Sequence, residues 1–184
     1  MKPGSPFGVL MRLCLALTLV GVAGSARAQP TERAVKAAFI PKFARYVEWP
    51  AAAMPGPRQP LILCVIGRDP FGGLLDQAAA SETIGSRGVV VRRLASADGA
   101  GICHIAFVQG ATGADTTRYL LALRGQPTLT ITDARAGPQR GMIHFTVSGG
   151  RVRFFIDEAS AAQRGLVISS RLLALALGVR QRRS

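Results

Sequence analysis

Residue types that carry out catalytic chemistry are scarce in this chain. Its 184 residues include two histidines, three cysteines and ten acidic side chains, set against 23 basic ones. Neither His104 nor His144 has a second histidine, a cysteine or a carboxylate at metal-ligand spacing, so a zinc site lacks support. No Gly-x-Ser-x-Gly elbow occurs, and a hydrolase would have to be assembled in space, from Ser169 or Ser170 with His144 and Asp157. The dinucleotide fingerprint and the Walker pattern are both absent, and no internal repeat is present. Beyond the N-terminal segment, no apolar run approaches the ~20 residues of a membrane span. No enzyme, metal or cofactor is expected.

What the chain does have begins with a leader. Lys2 and Arg12 precede the apolar stretch Leu13 to Ala23, and Ala26-Arg27-Ala28 supplies a small-x-small end, the order of a secretory signal. Cleavage is expected after Ala28, leaving residues 29–184 as one domain, large enough to bury its own core. Cys14 goes with the leader and lacks a lipobox. The remaining thiols, Cys64 and Cys103, then sit in a compartment that permits disulfides, and one bridge is expected. Two buried, reduced core residues are the alternative. Losing Lys2, Arg12 and Arg27 takes the formal net charge from +13 to +10. So basic a protein suits nucleic acid, an anionic membrane surface or an acidic partner, and export argues against nucleic acid. The cluster Arg180, Arg182 and Arg183 reads as a solvated tail, with peripheral contact to anionic lipid as the other reading.

Along the mature chain, Thr31 caps a predicted helix whose Val35, Ala38, Phe39, Phe43, Tyr46 and Val47 share one stripe. Pro41 removes a backbone donor and should kink or break it. Trp49-Pro50 ends it, and Ala51 to Pro60 is a loop. Leu61 to Ile66 is a continuous apolar run, as for a strand buried on both faces. Asp69 and Pro70 read as cap and first residue of a helix through Phe71, Leu74, Leu75, Ala78 and Ala79. Val89 to Val91 and Ile102 to Val108 are further strands, and placing the first strand between them sets the two cysteines on neighbours. Asp115 caps a helix through Tyr119, Leu120 and Leu123, ended by Gly125. Thr128 to Thr132 is a strand with Leu129 and Ile131 on one face.

Ser148-Gly149-Gly150-Arg151 is a two-residue hairpin turn. Its register sets Val147 opposite Val152, Phe145 opposite Phe154 and Ile143 opposite Ile156 on an apolar face. The other face pairs Thr146 with Arg153 and His144 with Phe155 and should be half exposed. Asp157 to Arg164 is a short helix stopped by Gly165, Leu166 to Ile168 is extended, and Ser170 caps a last helix with Leu172, Leu173, Ala176 and Val179 on its core stripe. The predicted class is a single α/β domain: a mixed, mostly parallel sheet with flanking helices and a C-terminal β-hairpin. The loop Gly67 to Gly73 lies where α/β proteins bind phosphate, but Asp69 would repel an anion, which favours a plain capped turn. His104 is expected to be a hydrogen-bonded core residue.

At Ala37-Ala38-Phe39, at Phe43-Ala44-Arg45-Tyr46-Val47-Glu48-Trp49-Pro50, and at Phe155-Ile156-Asp157 followed by Gly165 to Ala176, the chain resembles the YfiR-like periplasmic proteins. The resemblance spans essentially the whole mature chain. Cys64 and Cys103 look like one disulfide pair of that family, whereas a second pair has no counterpart near Met142. Pro41 falls where the family often has a helix-compatible residue. The resemblance implies a small periplasmic α/β protein, not an enzyme, which represses an inner-membrane diguanylate cyclase by binding its periplasmic domain and so lowers cyclic di-GMP signalling.

A sensor kinase is a related partner, and a homodimer is open. For the partner face the candidates are Glu48 and Trp49 at the end of the first helix, with Glu158 and Arg171 flanking the C-terminal motif. An exposed Trp beside charges is a typical interface anchor. Trp49 as a core plug, with Arg171 pairing locally, is the competing reading. A periplasmic small-molecule-binding module using a strand-end crevice is the alternative function.

Overall fold

The computed structural model describes residues 30–181. The leader at 1–28 and the tail residues Arg182 and Arg183 lie outside the described residues. Eight strands form one mixed sheet, in spatial order β10 (Gly178–Arg180), β8 (Arg151–Asp157), β7 (Ile143–Ser148), β6 (Leu129–Asp133), β5 (Ile105–Gln109), β2 (Leu61–Gly67), β4 (Arg87–Leu94) and β3 (Thr83–Ile84). The β7/β8 and β3/β4 pairs are antiparallel and the others parallel, which is the mixed sheet with a C-terminal hairpin expected above. β2 lies between β4 and β5, the placement under which the two cysteines come onto neighbouring segments. The hairpin register is also the expected one, with Gly149 and Gly150 both at positive φ, the conformation a tight primed turn demands.

Alternation along the central strands divides the core in two. Leu61, Leu63, Val65, Ile105, Phe107, Leu129, Ile131, Ile143, Phe145, Phe154 and Ile156 belong to one large cluster. It is roofed by α1 (Glu32–Lys42) and α2 (Gly73–Ala80), which pack on each other and bring in Ile40, Phe43, Phe71 and Leu75. The opposite face holds a smaller cluster of Cys64, Ile66, Ala106 and Val108 under Tyr119 and Leu123, carried by α3 (Gly113–Ala122) and its C-terminal cap. Two short helices, α4 (Glu158–Ala162) and α5 (Ser170–Leu173), follow β8.

Several local expectations are corrected. The buried side of α1 is Lys36, Ala37, Ile40 and Pro41, a face rotated from the predicted stripe, so that Phe39 and Tyr46 only flank the core. Lys36 did not register as a core position because it is charged. Its ammonium, 2% exposed, is held by Glu32 at 2.5 Å and Asp133 at 2.6 Å, and Arg135 closes the network on Glu32 at 2.5 Å. The break at Pro41 occurs as a change of pitch, the α-helix passing after Lys42 into a 3₁₀ turn at Phe43–Tyr46. Thr112, not Asp115, caps α3: the two form a reciprocal capping box with Asp115 at the third helical position. Ser169 rather than Ser170 caps α5. The expected loop at Ala51 to Pro60 includes a 3₁₀ turn at Ala51–Ala53.

Two corrections alter the surface. The predicted strand Ile102 to Val108 opens instead with a 3₁₀ turn at Ala100–Ile102, and β5 starts at Ile105. The predicted last helix stops early, and Val179 lies in β10, parallel to β8. An unpaired edge of β8 would leave a row of backbone donors and acceptors open, which pairing with Gly178–Arg180 satisfies. His144 lies inside rather than on a half-exposed face: it is 3% exposed, its Nδ1 is 2.8 Å from Thr132 Oγ1, and Arg140 stacks 5.0 Å from the centroid of the neighbouring Phe155 ring.

Candidate partner-binding face

After the 3₁₀ turn at Phe43–Tyr46 the chain extends as β1 (Val47–Glu48), and far along the sequence β9 (Val167–Ile168) pairs with it antiparallel. Val47 faces Ile168 and Glu48 faces Val167, and Ser169 N–H donates to Tyr46 O at 2.8 Å. Period-two alternation then sorts the side chains. Val47, Ile168 and Leu166 point into the core, while Glu48 and Val167 point out, Val167 being 55% exposed. Val167 is the residue that sequence reasoning missed, although the alternation Leu166-Val167-Ile168 could have marked it as the outward member.

The ribbon is closed at its far end by Pro50 and Gly165. Gly165 has φ +73°, and a Cβ there would lie 2.8 Å from Pro50 Cγ, so both backbone conformation and space call for glycine. The conformation also ends the turn after α4, which packs on β9.

Of the four expected face residues, Glu48 and Arg171 are exposed and Glu158 is half-buried in the first turn of α4. Trp49 is 8% exposed and donates from Nε1 to His104 O at 3.2 Å. It therefore plugs the core and holds the ribbon in place rather than offering an exposed anchor. Arg171 is in none of the ion pairs among the described residues.

Cys64 and Cys103 form a disulfide, with Cα atoms 5.7 Å apart. Cys64 lies mid-β2, level with Ala106 of β5, and Cys103 just ahead of β5, so the bridge ties adjacent segments on the smaller core. His104 next to it accepts from Ile62 N–H on Nδ1 at 3.0 Å, and burial lowers its pKa. It is hydrogen-bonded as expected, but half-buried and outside the strand. A cavity of about 720 Å³ opens beside these residues at the amino ends of β2, β5 and β6.

The loop after β2 is filled by its own side chain. Asp69 Oδ1 accepts from Phe71 N–H at 2.7 Å and Gly72 N–H at 3.1 Å, and Arg93 binds Oδ2 at 2.7 Å. The amides that would have held phosphate are occupied, and α2 starts only at Gly73 with Gly72 as its cap. The residues of the conceivable triad also have other partners. His144 pairs with Thr132, Asp157 accepts from Ser160 and Arg180, and Ser169 Oγ accepts from Leu172 N–H. Among the described residues, no three His, Cys, Asp or Glu gather where they could hold a metal ion, and no helix is long and apolar enough to cross a membrane.

No curated protein matches the chain. A family model described as YfiR/HmsC-like matches residues 33–177, a span that includes both segments of the β1/β9 ribbon, the disulfide and the whole eight-stranded sheet up to its last strand. By that match over most of its length, the chain belongs to the YfiR/HmsC-like family.

Proposed function

We propose that this protein is exported behind a leader ending at Ala28 and works in the periplasm as a regulatory binding protein. It restrains an inner-membrane diguanylate cyclase by holding the cyclase's periplasmic domain, which lowers cyclic di-GMP inside the cell. Membership of a regulatory, non-catalytic family supports the reading. The observation that carries it is the β1/β9 pairing, which brings the two most family-like segments together and leaves Glu48, Val167 and Arg171 on its outer side and flank. An apolar centre with charges of both signs around it suits a protein partner better than an anionic lipid or a nucleic acid.

Repression sets a physical requirement. A ligand shifts a two-state sensor only by its differential affinity, so this face must fit the inactive conformation of the cyclase more tightly than the active one. Trp49 contributes indirectly by fixing the ribbon. Trp49→Ala would therefore confuse folding with binding, whereas Arg171→Glu and Val167→Glu change only exposed side chains.

In a strain carrying the cognate cyclase, either substitution is expected to raise cyclic di-GMP and abolish co-purification of the cyclase, with the variant still folded and as abundant as wild type. Unchanged cyclic di-GMP and unchanged capture for both would remove the ribbon from the interface. A gene deletion without any cyclic di-GMP response would overturn the function itself.

A further inference from the structure

On the smaller-core side of the sheet, at the amino ends of β6 and β7, a cleft of about 300 Å³ lies between α3 and α4. Thr130 forms part of its floor, and three arginines from three separate segments line it: Arg124 beyond the end of α3, Arg140 ahead of β7, and Arg164 after α4. None of the three is in an ion pair among the described residues. No Asp or Glu side chain lies in the stretches outside the described residues. The only acid in the cleft is Asp157, and Arg180 and Ser160 already bind its carboxylate.

Arg164 is the most informative of the three. Its Nη1 is buried and has no hydrogen-bond partner, which leaves a donor of a charged group removed from water and unsatisfied. Burial, and then the nearby Arg124 charge, pull its pKa down, with the Asp157 charge opposing but not cancelling them, so the fold bears a cost to hold this guanidinium where it is. Three guanidinium groups outnumber the one engaged carboxylate in this concave site, its unmet donor is satisfied when a group of opposite charge enters, and the unpartnered Gln139 Oε1 on the same lining belongs to an amide that can turn its NH2 to an anion. Guanidinium groups match oxyanions in particular, because their forked donors meet two oxygens at once.

We propose that this cleft binds a small oxyanion, a phosphate or carboxylate group, through Arg164, Arg124 and Arg140. None of the residues lining the cleft belongs to β1 or β9, although Arg164 directly precedes Gly165 at the end of the ribbon, and anion binding in the cleft does not depend on the identity of the partner protein. A free solute and a lipid headgroup share the chemistry.

The test uses the purified protein at neutral pH and constant ionic strength. Titration calorimetry and thermal unfolding would be run with inorganic phosphate, with succinate, and with phosphatidylglycerol vesicles against phosphatidylcholine vesicles. At least one of these anions should bind with one-to-one stoichiometry and raise the unfolding midpoint. Arg164→Gln and Arg124→Gln should each weaken binding by about tenfold or more, and Arg58→Gln, at an exposed position away from the cleft, should not.

Without ligand, Arg164→Gln should unfold at the same temperature as wild type or higher, because it removes a half-buried charge with an unsatisfied donor; a purely structural arginine would behave in the opposite way. Vesicle binding alone, lost on Arg164→Gln, would assign a lipid headgroup. No binding in any arm, binding unaffected by Arg164→Gln, or a loss of ligand-free stability in that variant would each overturn the proposal.

Discussion

On one face of the sheet, Phe43, Phe145 and Phe154 interlock beneath α1, with ring centroids 5.3 to 6.4 Å apart. On the other face the sheet presents Ala106, Thr130, Thr132 and His144, and α3 closes only part of its width. The first face is stabilised by apolar area and dispersion, which respond little to pH or redox state. The second relies on a covalent bridge and on hydroxyls that satisfy buried backbone donors, as Thr130 does for Met142 N–H at 3.1 Å and Thr132 for Gly141 N–H at 2.8 Å. One chain thus has an inert face and a face open to chemical control, and the proposed oxyanion cleft lies on the second.

The sharpest way to break this contrast is to remove the centre of the apolar face. Phe43 is 1% exposed and touches three other rings, and Phe43→Ala should cost about 3 to 5 kcal/mol by transfer and cavity formation, equally in oxidising and reducing buffer. Denaturant titration in both buffers checks it. A loss that appears only on reduction would mean that the two faces are not independent. Next comes the bridge on the other face. Cys64 and Cys103 are 39 residues apart, and opening a loop of that size should cost about 3 to 4 kcal/mol in the loop-entropy account. The Cys64→Ala/Cys103→Ala variant should lose that stability and become indifferent to reductant. If it matched wild type in oxidising buffer, the bridge would have no part in holding the second face.

The contrast between the faces also explains what was legible in the residues alone. Strands whose apolar residues run continuously or alternate, such as Leu61 to Ile66 and the hairpin about Gly149-Gly150, were predicted in place because period and turn chemistry are local. Lys36 and His144 defied the pattern. Each is polar in type yet buried, and the partners that permit it, Asp133 for Lys36 and Thr132 for His144, come from other elements of the fold. The end of α5 was missed for a similar reason: the open edge of β8 outweighs the helical spacing of Ala176 and Val179. For the partner face, both family-like segments were identified, but their contact through β1 and β9 and the burial of Trp49 are tertiary facts with no sequence period.

The smallest effect expected from the contrast is a response of the second face to pH. His144 is buried against Thr132, and burial lowers its pKa first, with the Arg140 charge adding to that and Asp133 opposing it. His104 is lowered by burial as well, with a backbone hydrogen bond opposing. A histidine whose folded pKa is depressed stays neutral in the fold while the unfolded chain takes up a proton below about 6.5. Stability is therefore full above that pH and falls as pH drops toward the folded pKa, with a limiting slope of about 1.4 kcal/mol per pH unit for each such group. The shifted carboxylates do not interfere: Arg135 holds Glu32 at a pKa of about 2, Asp157 is lowered because the opposing effect of burial is outweighed by Arg180 and Ser160 together, and Asp76 beside Arg93 and Asp115 beside Thr112 are lowered too. Their protonation belongs to more acidic solution. Between pH 7 and 5, wild type should lose stability as acid is added, and His144→Gln should lose less over the same interval, whatever its starting stability. Parallel pH profiles for the two proteins would mean that His144 is as free to take up a proton in the fold as in the unfolded chain, and the second face would then owe its pH response to His104 alone.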